Sequence, residues 1–307
     1  PNAVSRTPSE TWFNRATQGI YELGSTFKAF TTAMALEEGI VTLGKKYDVS
    51  APLAIGRFRI RDTHPENRSM TVPEIFMHSS NIGTAQIALD VGPETQQAYM
   101  RRLGFLEPVH IELKESAQPM YPNPWGKAST MTISYGHGIA VTSLHLATGY
   151  ATLVNGGVWR PATLMKIAPG TERSTGERIF SEETSKIMRQ LMRLVVVQGT
   201  GKQANAPGYR IGGKTGTAEK PGVGGYQRKA LITTFAGAFP MDDPRYVVIA
   251  TLDEPKGIKE TYGFATAGWN AAPAMKAIVQ RVGPILGVEP NVNKDVDLSP
   301  LQRYIAG

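Results

Sequence analysis

The order of secondary-structure signals along the chain constrains its fold more than any other feature. Helical periodicity fills the first two-thirds and a stretch after residue 270. Between them three strand-like runs crowd together, at 209–219, 231–239 and 245–252. Strands this close in sequence cannot be joined by the crossover helices of a parallel sheet, so they read as a short antiparallel sheet. The connection 239–245 carries Pro240, Asp242, Asp243 and Pro244, the chemistry of a hairpin turn. The connection 220–230, with Gly222, Gly224, Gly225 and three basic residues, exceeds what a tight hairpin needs and is expected to be mobile. The predicted class is α+β, an antiparallel sheet flanked by helices.

The helices announce their own ends. Within 25–38, Phe27, Phe30, Met34 and Leu36 fall along one flank and Gly39 supplies a stop. Thr71 and Glu74 form a capping box with Pro73 in the first turn, so a helix should start near 72. Further helices are expected after Asn81 up to Asp90-Val91-Gly92, over 143–154, from a Ser181 cap to about Val196, and over 270–282 before Gly283-Pro284. Segment 106–130 is rich in proline, but Tyr121 and Trp125 anchor it, so it reads as an ordered excursion within one domain spanning 1–307.

Composition narrows the chemistry. With 307 residues the chain can bury a full core without staples, and with no cysteine it has no thiol nucleophile, cysteine-ligated metal or disulfide. Its five histidines (64, 78, 110, 137 and 145) lack metal-ligand spacing, so neither metal nor other cofactor is expected. The 33 basic residues outnumber 26 acidic ones, for a net charge of +7, yet they are scattered in runs of no more than two. No nucleic-acid motif accompanies them, and nucleic acid is not an expected partner. No run approaches the ~18–20 apolar residues of a membrane helix. The chain starts at Pro1 without a methionine and reads as a piece of something longer.

Three motifs carry chemistry: Ser25-Thr26-Phe27-Lys28, Ser79-Ser80-Asn81 and Lys214-Thr215-Gly216-Thr217. Each alone is common; in this order, each in a sensible setting, they point to acyl transfer through a serine. Residues three apart on a helix share a face, which brings the Ser25 hydroxyl toward the Lys28 amine. An ordinary lysine is a poor base at neutral pH, but burial and a second cation, Lys214, would lower its pKa. The middle motif must interrupt the helix begun near 72, projecting Ser79 as a proton relay and Asn81 as an amide holding Lys28 on one side and substrate on the other. On a strand, Gly216 lets a substrate backbone approach, Lys214 supplies charge, and Thr215 and Thr217 offer hydroxyls to a carboxylate. The backbone N–H groups of Ser25 and Thr217 form an oxyanion hole.

These residues resemble penicillin-binding proteins and serine β-lactamases. The block Tyr21-Glu22-Leu23-Gly24-Ser25-Thr26-Phe27-Lys28, with Ser79-Ser80-Asn81-Ile82-Gly83, Lys214-Thr215-Gly216-Thr217-Ala218 and the 134–157 block, is similar to class B penicillin-binding protein transpeptidase domains. The glycine-aromatic run from Tyr135 to Gly138 and Tyr262-Gly263 resemble the division-specific, FtsI-type branch. The resemblance implies a D,D-transpeptidase of septal peptidoglycan synthesis. Ser25 attacks the penultimate D-Ala carbonyl of a stem peptide, Lys28 is the acylation base and Ser79 the relay. Asn81 and Lys214 organise the site, and Thr215 and Thr217 take the carboxylate. It implies β-lactams as inhibitors that acylate Ser25, and division-complex membrane proteins, including a glycan polymerase, as partners. It also places the catalytic domain in the periplasm of an inner-membrane protein whose anchor and pedestal are not in this chain. The 134–138 run, with Tyr135 as a substrate-binding residue, and the 219–229 loop are expected to border the cleft.

Two departures stand out. Leu23 occupies a position where the family usually has proline. Only 24 residues precede Ser25, although the family's sheet takes in strands from before that helix, so the outer sheet is expected to be incomplete or completed from elsewhere. The alternatives are a β-lactamase or D,D-carboxypeptidase, or a non-enzymatic β-lactam sensor. Class A β-lactamases carry aspartate where Ser80 stands and use a glutamate that has no identifiable match here.

Overall fold

The computed structural model describes residues 8, 12–56, 58–168, 170–171, 176–222 and 225–306. Nine helices occur among them: α1 Lys28–Glu37, α2 Val72–His78, α3 Asn81–Val91, α4 Pro93–Arg102, α5 Lys127–Ile133, α6 Ser143–Val154, α7 Glu182–Val197, α8 Ala271–Ile285 and α9 Ser299–Gln302. Short strands interleave with them. β1 (Ile20–Tyr21) pairs with β6 (Val141–Thr142), β2 (Lys46–Asp48) with β5 (Ser69–Thr71), β3 (Leu53–Ile55) with β4 (Phe58–Ile60), and β7 (Val158–Trp159) with β8 (Glu177–Arg178). The principal sheet is antiparallel, with β10 (Gly225–Phe239) between β11 (Tyr246–Asp253) and β9 (Gly212–Gly222).

The strand period of two sorts β10 between two cores. Phe235 and Phe239 enter a cluster with Met275 and Val279 of α8, while Ala236 and Ala238 join the larger cluster built on α1, α3, α6 and α7. The sheet is thus covered on both faces, as α+β was expected to require. In the larger core Phe30 meets Phe105 at 4.8 Å and Tyr150 at 5.6 Å, both edge to face. Burying each such ring stabilises the fold by roughly 2 kcal/mol and fixes the axis of α1.

Most helix signals are realised. Thr71 and Glu74 form the capping box of α2, Ser181 accepts from the Thr184 N–H at the start of α7, and Gly92 ends α3. Gly283-Pro284 does not stop α8, which continues to Ile285; proline there costs less because the helix is already ending. α4 and α5 lay outside the sequence reading. α4 follows Gly92 with no loop and is strongly polar, while α5 is short and rich in serine and threonine. The 106–130 segment is ordered: the Trp125 indole donates to Gln96 Oε1 at 3.0 Å, Met120 bridges to Ala140, and its last residues enter α5.

One expectation is corrected. The connection 220–230 is not a loop: β9 runs to Gly222, and β10 resumes at Gly225, pairing Gly225 with Gly222 and Gln227 with Lys220. A register irregularity between Gln227 and Leu231 absorbs the extra residues as a bulge. Gly224, singled out above, lies outside the described residues. Among the described residues no strand pairs with the outer edge of β11, and no helix is long and apolar enough to cross a membrane.

Candidate active site

Ser25 lies in a 3-10 turn, Gly24–Phe27, that runs directly into α1. The turn is pinned from below: Thr26 Oγ1 donates to the Leu23 carbonyl at 2.9 Å, and the buried Tyr150 hydroxyl donates to the Thr26 carbonyl at 2.9 Å. Backbone contacts set its outer side. Gly136 sits at φ +79° against the Gly24 carbonyl, and Gly24 at φ +55° lies against Thr217. A β-carbon at Gly136 would come within 2.1 Å of Gly24 O, so only glycine permits this approach.

α2 ends at His78 because Ser79 takes a left-handed conformation, φ 63° and ψ 41°; Ser80 then caps α3, accepting from the Gly83 N–H. That break turns Ser79 inward. Lys28 Nζ donates to the Ser79 carbonyl and, at 3.1 Å, to Ser79 Oγ. Lys214 Nζ donates to the same Oγ at 2.8 Å and lies 5.9 Å from the centre of the Phe76 ring. Two fully buried amines therefore converge on one hydroxyl.

Their charge state follows from that burial. Desolvation, reinforced by Lys214, pushes Lys28 well below the ordinary lysine value, with Asp62 opposing weakly. Desolvation lowers Lys214 to about 7. A neutral amine at Lys28 is a competent base, which is the condition the sequence argument required.

Strand alternation on β9 does the rest. Thr215, Thr217 and Glu219 share one face and line a cleft of about 490 Å³ with Ser25, Ser79, Asn81, His137, Thr200 and Trp269. Lys214 and Gly216 point to the opposite, helical side. Thr215 Oγ1 lies 2.7 Å from Thr200 Oγ1, and Thr217 Oγ1 accepts from the Ala267 N–H at 3.0 Å. β9 is the edge strand on this side, and among the described residues no further strand pairs with its outer backbone.

Four details differ from the sequence reading. Ser25 Oγ makes no hydrogen bond among the described residues; Lys28 is drawn to Ser79 instead. The Asn81 amide donates to the Arg61 carbonyl at 3.0 Å rather than holding Lys28. The vacant β-carbon position of Gly216 faces Leu23 O at 2.3 Å, so this glycine admits the chain's own nucleophile turn, not a substrate backbone. Tyr135 lies against Arg59, Ile60 and Thr132, outside the catalytic cleft, whereas His137, two residues on, lines it.

Asp62 carried no sequence signal as a site residue, and Glu219 was singled out only as the first residue of the 219–229 segment expected to border the cleft, which it lines. Asp62 accepts from Ser80 Oγ at 2.6 Å and from the backbone N–H groups of Asn81 and Ile82, holding the start of α3 at its positive end. Glu22 accepts from the Tyr226 hydroxyl and from the Gly138 N–H, each at 2.9 Å, fastening the β9–β10 hairpin to the turn before Ser25. Burial pushes the His137 imidazole down in pKa against the opposing pull of Glu22 and Glu219. Among the described residues no group of three or more histidine, aspartate or glutamate side chains converges as a metal site.

The chain that carries this arrangement is similar, over most of its length, to known proteins. The penicillin binding protein transpeptidase domain family model covers residues 1–280, and the chain belongs to that family. It is 42% identical over 285 residues to the probable peptidoglycan D,D-transpeptidase FtsI of Caulobacter vibrioides, covering 90% of this chain and 48% of that protein. The apo transpeptidase domain of Burkholderia pseudomallei penicillin-binding protein 3 superposes with a TM-score of 0.83 at 32% identity, covering 92% of this chain and 84% of that one. Penicillin-binding protein 3 of Mycobacterium tuberculosis, solved with aztreonam, superposes at 0.78 with 28% identity, over 91% of this chain and 65% of that one. The chain spans about half the length of the curated relatives it matches.

Proposed function

We propose that this chain is the catalytic domain of a peptidoglycan D,D-transpeptidase acting in septal cell-wall synthesis. The observation that carries the reading is the convergence of Lys28 and Lys214 on Ser79 Oγ at the floor of the Ser25 cleft.

Acylation would begin with the neutral Lys28 amine taking the Ser25 hydroxyl proton as Oγ attacks the penultimate D-Ala carbonyl of a stem peptide. The oxyanion forms between the Ser25 and Thr217 N–H groups, while Thr215 and Thr217 hold the terminal carboxylate and the buried Lys214 organises the site through Ser79. Collapse breaks the peptide bond, and the proton held by Lys28 passes through Ser79 to the departing D-Ala amine. An amine of a neighbouring stem peptide then attacks the Ser25 ester. Its proton returns by the same relay to Ser25 Oγ, leaving a cross-linked peptide and free enzyme. β-Lactams would enter as mimics of the D-Ala-D-Ala end. The same reading places the domain in the periplasm, tethered to the inner membrane and working with division-complex membrane proteins that include a glycan polymerase.

The test is labelling with fluorescent penicillin. Ser25→Ala should abolish labelling while circular dichroism shows a folded protein; labelling that survives the substitution overturns the assignment of the nucleophile.

A further inference from the structure

The cleft has two ends of different chemistry, set by one strand. Thr215 and Thr217 offer hydroxyls above the buried Lys214. Two residues beyond Thr217 on the same face, about 6–7 Å along the strand, stands Glu219. It lines both the catalytic cleft and an adjoining, largely apolar groove of about 590 Å³ bounded by Tyr21, Met120, Tyr121 and Pro221. The bulge of β10 falls opposite Glu219 and Lys220, where such irregularities re-aim side chains beside active sites.

Glu219 makes no ion pair or hydrogen bond among the described residues. Its neighbour Lys220 is taken by Asp253 and Glu254, each at 2.9 Å, and Asp62, the other carboxylate of the cleft, is spent on the start of α3. Glu22, at the rim of the same groove, adds a second negative charge and is held by Tyr226 and Gly138. The groove thus carries Glu22 and Glu219 beside one cation, Lys220, whose charge Asp253 and Glu254 already meet.

The direction of the substrate follows from the site. With the scissile carbonyl at the Thr217 N–H and the carboxylate of the departing D-Ala toward Thr215, the acyl side of the donor must run toward Glu219. In extended form the residue before the penultimate one lies about 5–6 Å past that carbonyl, level with Glu219. We infer that Glu219 is a specificity-determining residue that selects donors with an ammonium group on the residue preceding the D-Ala-D-Ala end. This rests on the transpeptidase reading above. It is consistent with the chemistry of cross-linking, in which each stem peptide must also present an amine.

Benzylpenicillin and ampicillin differ only by an α-ammonium on the acyl side chain, at the level assigned to Glu219. The second-order rate of Ser25 acylation by each is measured in competition with fluorescent penicillin, for the unaltered chain, Glu219→Gln and Glu219→Lys. The ampicillin-to-benzylpenicillin ratio should fall about three- to tenfold in Glu219→Gln and further in Glu219→Lys, and the difference should shrink between low and 0.5 M salt. The same ratio in all three proteins overturns the role of Glu219 and leaves the transpeptidase reading standing. Failure of benzylpenicillin to acylate the unaltered chain at Ser25 overturns both.

Discussion

At the scale of single residues the site works against stability. Lys28 and Lys214 are buried without a carboxylate partner, and each would be better solvated in the unfolded chain. Lys214 titrates near 7 in the fold against about 10.5 unfolded, so between those values the unfolded state holds more protons and stability rises with pH. Below about 7 the full penalty is present. Lys214→Met should therefore raise stability by about 1–3 kcal/mol at pH 6, with the gain shrinking toward pH 10. Thermal denaturation of both proteins at pH 6 and 9.5 checks this; an equal loss at both would refute it. The same variant removes one of the two influences that depress Lys28, so the acid limb of its residual acylation rate should move to higher pH. Desolvation remains, which keeps that limb below the range of an ordinary lysine. A pH–rate profile with benzylpenicillin reads the shift directly, and an unmoved limb would separate Lys28 from the rate.

At the scale of elements the nucleophile is positioned by backbone contact. The turn at Gly24, edge strand β9 at Gly216 and the 134–138 segment at Gly136 touch without side chains between them. Gly136→Ala should push the Ser25 turn outward, lowering acylation by about a hundredfold and stability by about 1–3 kcal/mol. Stopped-flow acylation and urea denaturation test both; near-normal acylation would show that the contact does not set Ser25. This interlock explains what the sequence revealed. The three motifs were legible because reactive side chains at helix starts and on strands have short, local spacing. Capped helices were legible for the same reason, through Thr71, Ser181 and Gly92. Asp62 was not, and Glu219 only as part of the 219–229 segment, because the value of a carboxylate depends on what a distant strand or helix brings beside it. Tyr135 packs against the core while His137 lines the cleft, and a glycine-flanked turn does not show in sequence which of its two rings takes which side.

At the scale of the molecule, the C-terminal segment ties helices and sheet together. The buried Arg193 guanidinium of α7 donates to both Asp295 oxygens at 2.7 and 2.6 Å and to the Ile211 carbonyl, next to the start of β9. The Thr71 hydroxyl donates to Tyr304 O, and the Ala306 N–H donates to Glu74, which closes the start of α2. Asp295→Ala should leave Arg193 unpaired and cost about 1–3 kcal/mol, less than a fully buried pair because Asp295 is partly exposed. Denaturant unfolding measures it, and a change below about 0.5 kcal/mol would mean that the tail is not held there. The +7 charge and absent cysteines, uninformative alone, are compatible with the proposed serine acyl transfer on an anionic cell-wall polymer. The central claim is that Ser25 forms a long-lived acyl-enzyme, and intact-protein and peptide mass spectrometry after exposure to benzylpenicillin tests it most directly. A single adduct on Ser25 that persists for hours is the predicted result; no adduct, an adduct elsewhere, or loss within seconds would contradict it.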